Sequence, residues 1–188
     1  MNVMDAIRSR RSIRKFQDRK ISQEQLARIM EAARYYPCAA NLQPLQFLVV
    51  TDCSLCNEIF SSLKWAGYLK NYQMERAHRP TAYLVLIGDM QISNRFEFCA
   101  GAAAAELMLA AQAEGIASCC LQPAEKNRLY PVLGLNPDRQ ELLYVIALGY
   151  AAQESNVIPM ETGCRYYLDE NGGFVVPKKS LEDTVFYL

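Results

Sequence analysis

Arg10-Arg11-Ser12-Ile13-Arg14-Lys15 gathers four cations and a hydroxyl into one short stretch, closed by Phe16. Such a set suits a phosphate better than a protein core. Arginine stays charged at any working pH, and its planar fork grips phosphate oxygens in pairs. In a helix, Arg10 and Arg14 would share a face at i, i+4, and like charges held side by side weaken a helix unless an anion lies between them. The competing expectation is a solvated helix end. Lys plus Arg equals Asp plus Glu at 20 each, so the cluster is local and fits one small anionic ligand.

Two further stretches offer polar groups to a ligand. In Ala40-Asn41-Leu42-Gln43-Pro44 the two side-chain amides can read a heterocycle edge that carries carbonyls and N–H groups. The bland alternative is a loop whose amides satisfy its own backbone. Cys119-Cys120-Leu121-Gln122-Pro123 stands at the exit of an expected buried strand, where backbone N–H groups can point at a ligand. The familiar side-chain catalysts are otherwise missing. His78 is the single histidine and reads as a surface residue. There is no G-x-S-x-G, no G-x-G-x-x-G, no Walker loop and no His/Asp/Glu grouping at metal spacing. An enzyme built this way borrows its reactivity from a bound cofactor.

The elements that must hold these residues follow from periodicity and punctuation. Val3, Met4, Ala6 and Ile7 suggest a short first helix. Ser22-x-x-Gln25 is a capping box for a second, whose apolar face is Leu26, Ile29, Met30 and Ala33 and which Pro37 stops. A strand is expected from Leu45 to Thr51 and a helix from about Ser54 to Lys64. Trp65 to Arg79 is polar and aromatic and reads as a mobile cover. Thr81 to Gly88 is a nearly unbroken run of β-formers, hence a buried strand.

A helix from about Asn94 to Glu114 follows, alanine-rich and apolar except for Glu106 between Phe98 and Ala111. It is too short, and charged too centrally, to span a membrane. A helix apolar nearly all round must be buried on nearly all sides, and a second subunit is the obvious source of the extra cover. Strands at Ile116–Leu121 and Leu142–Gly149 flank a helix at Ala124–Val132, and a hairpin closes Tyr166 to Val176. The pattern gives an α/β or α+β class around one mixed sheet, in a single domain over residues 1–188.

Composition narrows the function. Neither a basic excess nor a basic stripe marks a nucleic-acid binder. Cys38, Cys53, Cys56, Cys99, Cys119, Cys120 and Cys164 are odd in number and irregular in spacing, and Met1 to Ile13 is charged too early for an apolar signal core. Reduced thiols in a cytoplasmic protein are expected. Cys53-Ser54-Leu55-Cys56 is formally C-x-x-C. A redox reading needs the first Cys at a helix N-terminus beside a strand, and a zinc reading needs a second ligand pair, which the adjacent Cys119 and Cys120 do not supply. Ordinary thiols are therefore expected here too.

Taken in order, these segments resemble the FMN-dependent nitroreductase family over most of the chain. Arg10 to Phe16 looks like its opening R-R-S-x-R-x-F, and Pro37 to Phe47 like its P-S-x-x-N-x-Q-P-W-x-F. Gly101 to Gly115 resembles its central helix, Gly115 to Gln122 its G-x-x-S-C-x-x-G strand exit, and Ala147 to Tyr150 its late strand. Pro177 to Glu182 resembles its closing P-K-R-x-L-E. The chain departs from the pattern at Cys38 (usually Ser), Leu45 (usually Trp) and Gln122 (often Gly).

The resemblance implies an α+β fold, a mixed sheet flanked by helices, in an intertwined homodimer with FMN at the subunit interface. It implies that Arg10 binds the FMN phosphate with Lys178 and Lys179, that Ser12 adds a hydroxyl bond, and that Arg11 belongs to the same set. Arg14 would approach the pyrimidine edge. Cys38, Ala39, Asn41 and Gln43 would come from the other subunit, and Leu121 and Gln122 would present N–H groups near the reactive nitrogen. The implied activity is ping-pong reduction of nitroaromatics, quinones or related small oxidants by NADH or NADPH. It involves no metal, no catalytic side chain, no nucleic acid and no membrane. The alternatives are reductive dehalogenation or flavin fragmentation on the same scaffold, a non-catalytic flavin-binding protein, or a structural dimer whose arginines pair with carboxylates.

Overall fold

A computed structural model describes all 188 residues, and its first elements follow from local chemistry. Asn2 caps α1 (Val3–Ser9) by accepting the Asp5 N–H at 2.9 Å. Ser22 and Gln25 exchange the two bonds of the expected capping box at the start of α2 (Gln23–Glu31). This helix ends earlier than Pro37 and tightens into a 3₁₀ turn at Ala32–Arg34. Leaving the helix there lets Tyr36 turn inward, where its hydroxyl accepts the Leu45 N–H at 3.2 Å.

The chain continues through β1 (Leu45–Val50), α3 (Cys53–Ser61), β2 (Ala82–Asp89), α4 (Glu97–Ala113) and β3 (Ala117–Leu121). Then come α5 (Lys126–Val132), β4 (Gln140–Gly149), β5 (Ser155–Pro159), β6 (Tyr167–Leu168) and β7 (Phe174–Lys178).

The main sheet has strand order β1-β2-β4-β3, and every adjacent pair is antiparallel. This corrects the expectation of one mixed sheet. The helix α4 does carry the chain from β2 to the parallel strand β3, but β4 inserts between them and makes both contacts antiparallel. Parallel pairing appears instead in a second, three-stranded sheet, where β5 runs alongside β7 and β6 pairs with β7 antiparallel. The class is thus α+β.

β2 explains why its sequence showed no alternation. All eight of its residues are buried because helices cover both faces of the sheet. Ala82, Leu84 and Leu86 face α2 and α4, in a core with Leu26, Ile29, Ala103 and Leu107. Tyr83, Val85 and Ile87 face the other way, with Cys56 and Ile59 of α3, Leu129 of α5, and Ile13 and Phe16.

A single chain covers only one side of α4. Ala103, Leu107 and Ala111 are fully buried, whereas Gly101 and Ala105 are exposed and Phe98 is 70% exposed. The helix α1, which packs on α4, also exposes Val3, Met4 and Ile7. No helix is long and apolar enough to cross a membrane.

Phe16 is fully buried against the end of β4, and a Cβ on Gly149 would stand 2.7 Å from its ring. Gly149→Ala is expected to destabilise by about 1–3 kcal/mol through overpacking. In a chain this size that lowers Tm by roughly 2–4 °C per kcal/mol, which a thermal melt measures.

Candidate functional site

The segment from Arg10 to Gln17 is extended, and the fold fixes it on both sides. The Ile13 N–H donates to the Ser118 carbonyl of β3 at 3.0 Å, and Ser12 bridges Ser118 in parallel register. The Phe16 N–H donates to the His78 carbonyl at 2.9 Å, and the Gln17 N–H to the Tyr150 carbonyl at 2.8 Å. The Ala152 N–H donates to the Lys15 carbonyl at 2.9 Å. The arginine segment is thus held alongside β3, the strand that leads into Cys119 to Pro123, so two regions the sequence singled out separately are neighbours. His78 is half-buried rather than a surface residue, and its Nδ1 lies 3.3 Å from the Phe16 carbonyl.

The electrostatics of the cluster are one-sided. No carboxylate lies within 4.0 Å of Arg10, Arg11, Arg14 or Lys15, although six ion pairs form elsewhere. The reading in which these arginines pair with carboxylates is therefore not what the fold shows. Arg11 donates to the Arg10 carbonyl at 2.7 Å. Burial and the adjacent Arg10 charge pull its pKa below the ordinary guanidinium value. Burial pushes the Cys120 thiol up to about 12, helped by Cys119 and opposed by the nearby Arg10 charge. Burial likewise raises Cys119, against the pull of Arg14 and Arg10. Cys119 is buried and Cys120 half-buried beside the arginines.

Several buried polar atoms here have no protein partner: Nε of Arg11 and Arg14, Oγ of Ser118 and Ser155, and Nε2 of Gln153. Each such atom costs about 1–3 kcal/mol if left unpaired. Arg11 and Ser155 line a cavity at the entry of β3 with Gly115, Ile116 and Ala117, whereas the Arg10 and Arg14 charges act on Cys119 and Cys120 farther along the strand; unpaired cations beside this strand fit a phosphate-bearing ligand. The Gln122 N–H, just past β3, also has no acceptor within the chain.

Arg14 has neighbours the sequence did not announce. Its guanidinium lies 4.7 Å from the ring centres of both Tyr166 and Phe174, over a pair of rings that themselves meet at 5.6 Å. Its backbone N–H donates to Gln153 Oε1 at 3.2 Å, and its carbonyl accepts the Tyr72 hydroxyl at 3.4 Å. Tyr72 meets Phe174 edge-on at 6.0 Å, and Tyr68 tilts onto Tyr166 at 4.9 Å. The expected cover, Trp65 to Arg79, is therefore docked on the C-terminal hairpin through aromatic contacts. No local pattern could signal this, because the partners lie roughly a hundred residues apart in the sequence.

The second amide-bearing stretch is strained. Ala40, Asn41 and Gln43 adopt left-handed backbone angles, with φ of 50°, 53° and 50°. Asn tolerates this region, but Ala and Gln do not favour it, and each such residue costs of order 1–3 kcal/mol. The ends of the loop are pinned through Tyr36 and through the Asp89 N–H, which donates to the Pro44 carbonyl at 2.8 Å. Cys38 is half-buried, while Ala39, Asn41 and Gln43 are exposed.

This loop enters β1, at the opposite edge of the sheet from β3 and Ser12. Three inter-strand spacings, about 14 Å, separate the two edges. One chain does not bring the arginine cluster and the strained loop into one cleft. Lys178 and Lys179 are exposed at the C-terminal end of β7, about 13 Å along that strand from Phe174.

Comparison with known proteins places this architecture. The description "Nitroreductase family" matches residues 7–150. An Archaeoglobus fulgidus protein, provisionally named an NADH dehydrogenase/NAD(P)H nitroreductase, is 31% identical over 159 residues, spanning 80% of this chain and 86% of its own. A provisionally named nitroreductase from Desulfovibrio desulfuricans, crystallised in complex with FMN, superposes with a TM-score of 0.69 at 29% identity, covering 81% of this chain and 88% of its own. A provisionally named NAD(P)H:FMN oxidoreductase from Staphylococcus epidermidis superposes over 100% of this chain and 96% of its own with a TM-score of 0.73, and at 18% identity it speaks to fold alone. The chain belongs to the nitroreductase family.

Proposed function

We propose that this protein is an FMN-dependent oxidoreductase. It works as a homodimer, takes electrons from NADH or NADPH, and delivers them to nitroaromatics, quinones or related small oxidants in a ping-pong cycle. The observation that carries this reading is the arginine cluster: cations with no carboxylate partner, held alongside β3. Family membership and an FMN-bound relative support it. Bound FMN supplies the two-electron chemistry that the side chains lack.

Arg10 and Ser12, with Lys178 and Lys179, hold the phosphate, and Arg11 adds to the positive field. Arg14 sets a positive charge beside the edge of the ring that gains negative charge on reduction. Its contact with the Tyr166 and Phe174 rings fixes where that charge stands. The Gln122 N–H, which no acceptor in the chain takes up, is offered toward the reactive nitrogen, whereas Leu121 is paired with Val145 in the β3–β4 ladder. Cys38, Ala39, Asn41 and Gln43 complete the ring's surroundings from the second subunit, since one chain keeps them at the far edge. No side chain is assigned as an acid or base, because His78 is engaged with Phe16. All seven thiols are free, in keeping with a cytoplasmic protein.

The test is direct. The purified protein is expected to be yellow, to release FMN on heating, and to oxidise NADH or NADPH steadily once a quinone is added. Yellow protein with no such turnover would leave a flavin binder and refute the enzymatic reading.

A further inference from the structure

We propose that Cys53 and Cys56 form a dithiol that reduces small carboxylate-bearing disulfides, in a cationic cavity separate from the arginine cluster. The C-x-x-C reads from sequence as two ordinary thiols. The fold supplies the placement that a redox pair requires: β1 ends at Val50, Asp52 caps α3, and Cys53 is the first helical residue. Asp52 Oδ1 accepts the N–H groups of Ser54 and Leu55, each at 2.9 Å, which fixes that first turn.

Cys53 is exposed, and Cys56, one turn on, is 8% exposed with its thiol turned to the Val50 carbonyl. Residues at i and i+3 of a helix have Cα atoms about 5 Å apart, within the range a disulfide spans. The pair thus has an accessible attacker and a sheltered resolver. Burial pushes the Cys56 thiol up to about 11, with the neighbouring Cys53 and Asp52 adding to the shift.

Both cysteines line a cavity of about 540 Å³ with Lys20, Arg76, Arg79 and a single carboxylate, Asp18. None of the three cations is in an ion pair. Arg79 is held in place by the Asn57 amide oxygen at 3.1 Å and by the Phe60 ring 4.0 Å beneath it, and its Nε is buried without a partner. A pocket of this charge selects an anionic reactant.

The chemistry closes on itself. The Cys53 thiolate attacks one sulfur of R–S–S–R, a Cys53–S–R bond forms, and the first R–S⁻ leaves and takes up a proton. Cys56 then loses its proton and attacks the Cys53 sulfur, and the second R–S⁻ departs and is protonated. Two protein thiols are oxidised to one disulfide, and one small disulfide is reduced to two thiols.

The flavin-loaded protein, pre-reduced and desalted, is mixed with oxidised glutathione, quenched with an alkylating reagent and mapped by mass. The expected result is loss of two hydrogens from the peptide carrying Cys53 and Cys56. It should proceed about tenfold or more faster than with cystamine, a cationic disulfide. Cys53 should also outpace Cys164, which is exposed elsewhere in the chain. Cys56→Ala should accumulate a glutathionyl group on Cys53. Lys20→Gln with Arg76→Gln, both at exposed positions, should abolish the preference for glutathione over cystamine. Absence of the Cys53–Cys56 bond in the wild type, reaction at Cys53 no faster than at Cys164, or an unchanged preference in the double variant would each overturn the proposal.

Discussion

Arg10→Ala combined with Arg14→Ala is expected to yield a folded protein that purifies colourless. Hydrogen bonds to charged groups are worth about 1.5–3 kcal/mol each. If additive, the two losses weaken flavin binding by about 3–6 kcal/mol, or roughly 10²–10⁴-fold. Folding should suffer little, because neither arginine is in an ion pair. Arg14 gives up two ring contacts, at about 0.5–1 kcal/mol each. The segment itself is held by backbone bonds to Ser118, His78 and Tyr150, which alanine retains. The flavin-to-protein absorbance ratio, with a thermal melt as control, decides the matter. A double variant that purifies fully yellow would remove the phosphate assignment from this cluster.

What the sequence made legible was whatever short-range chemistry decides. The reciprocal bonds of Ser22 and Gln25 are a local motif, and they form as expected. The buried run of β2 betrays a strand covered on both faces, and the arginine cluster keeps its charges unpaired by any carboxylate of the chain. What stayed hidden depends on distant partners. The strand β5 has no run of β-formers to announce it, ends at a proline, and exists because β7 pairs alongside it. Arg14 gave no hint of its ring contacts, since Tyr166 and Phe174 reach it from the far end of the chain. The left-handed angles at Ala40 and Gln43 were unreadable for another reason: no glycine marks them. Tertiary restraint imposes those angles, and such restraint is commonly kept where a loop must present its backbone to a ligand.

Ala105→Glu is the second large effect, and it separates assembly from cofactor binding. In a single chain Ala105 lies on the open side of α4, so a glutamate there meets water and the subunit should fold normally. If that face meets its counterpart in a homodimer, each protomer brings an uncompensated carboxylate into the contact. Such a buried charge costs about 3–5 kcal/mol, incurred twice across a two-fold axis. The expected result is a folded monomer by sedimentation at micromolar concentration. The flavin should be lost with the dimer, because the strained loop Cys38 to Gln43 lies about 14 Å of sheet away from the arginines of its own chain. The two variants therefore leave different signatures. The arginine pair should give a colourless dimer, and Ala105→Glu a colourless monomer. A yellow monomer would show that one chain closes the site alone, and the loop would then have no role across the interface. A persistent dimer would place the subunit contact on some other surface than α4.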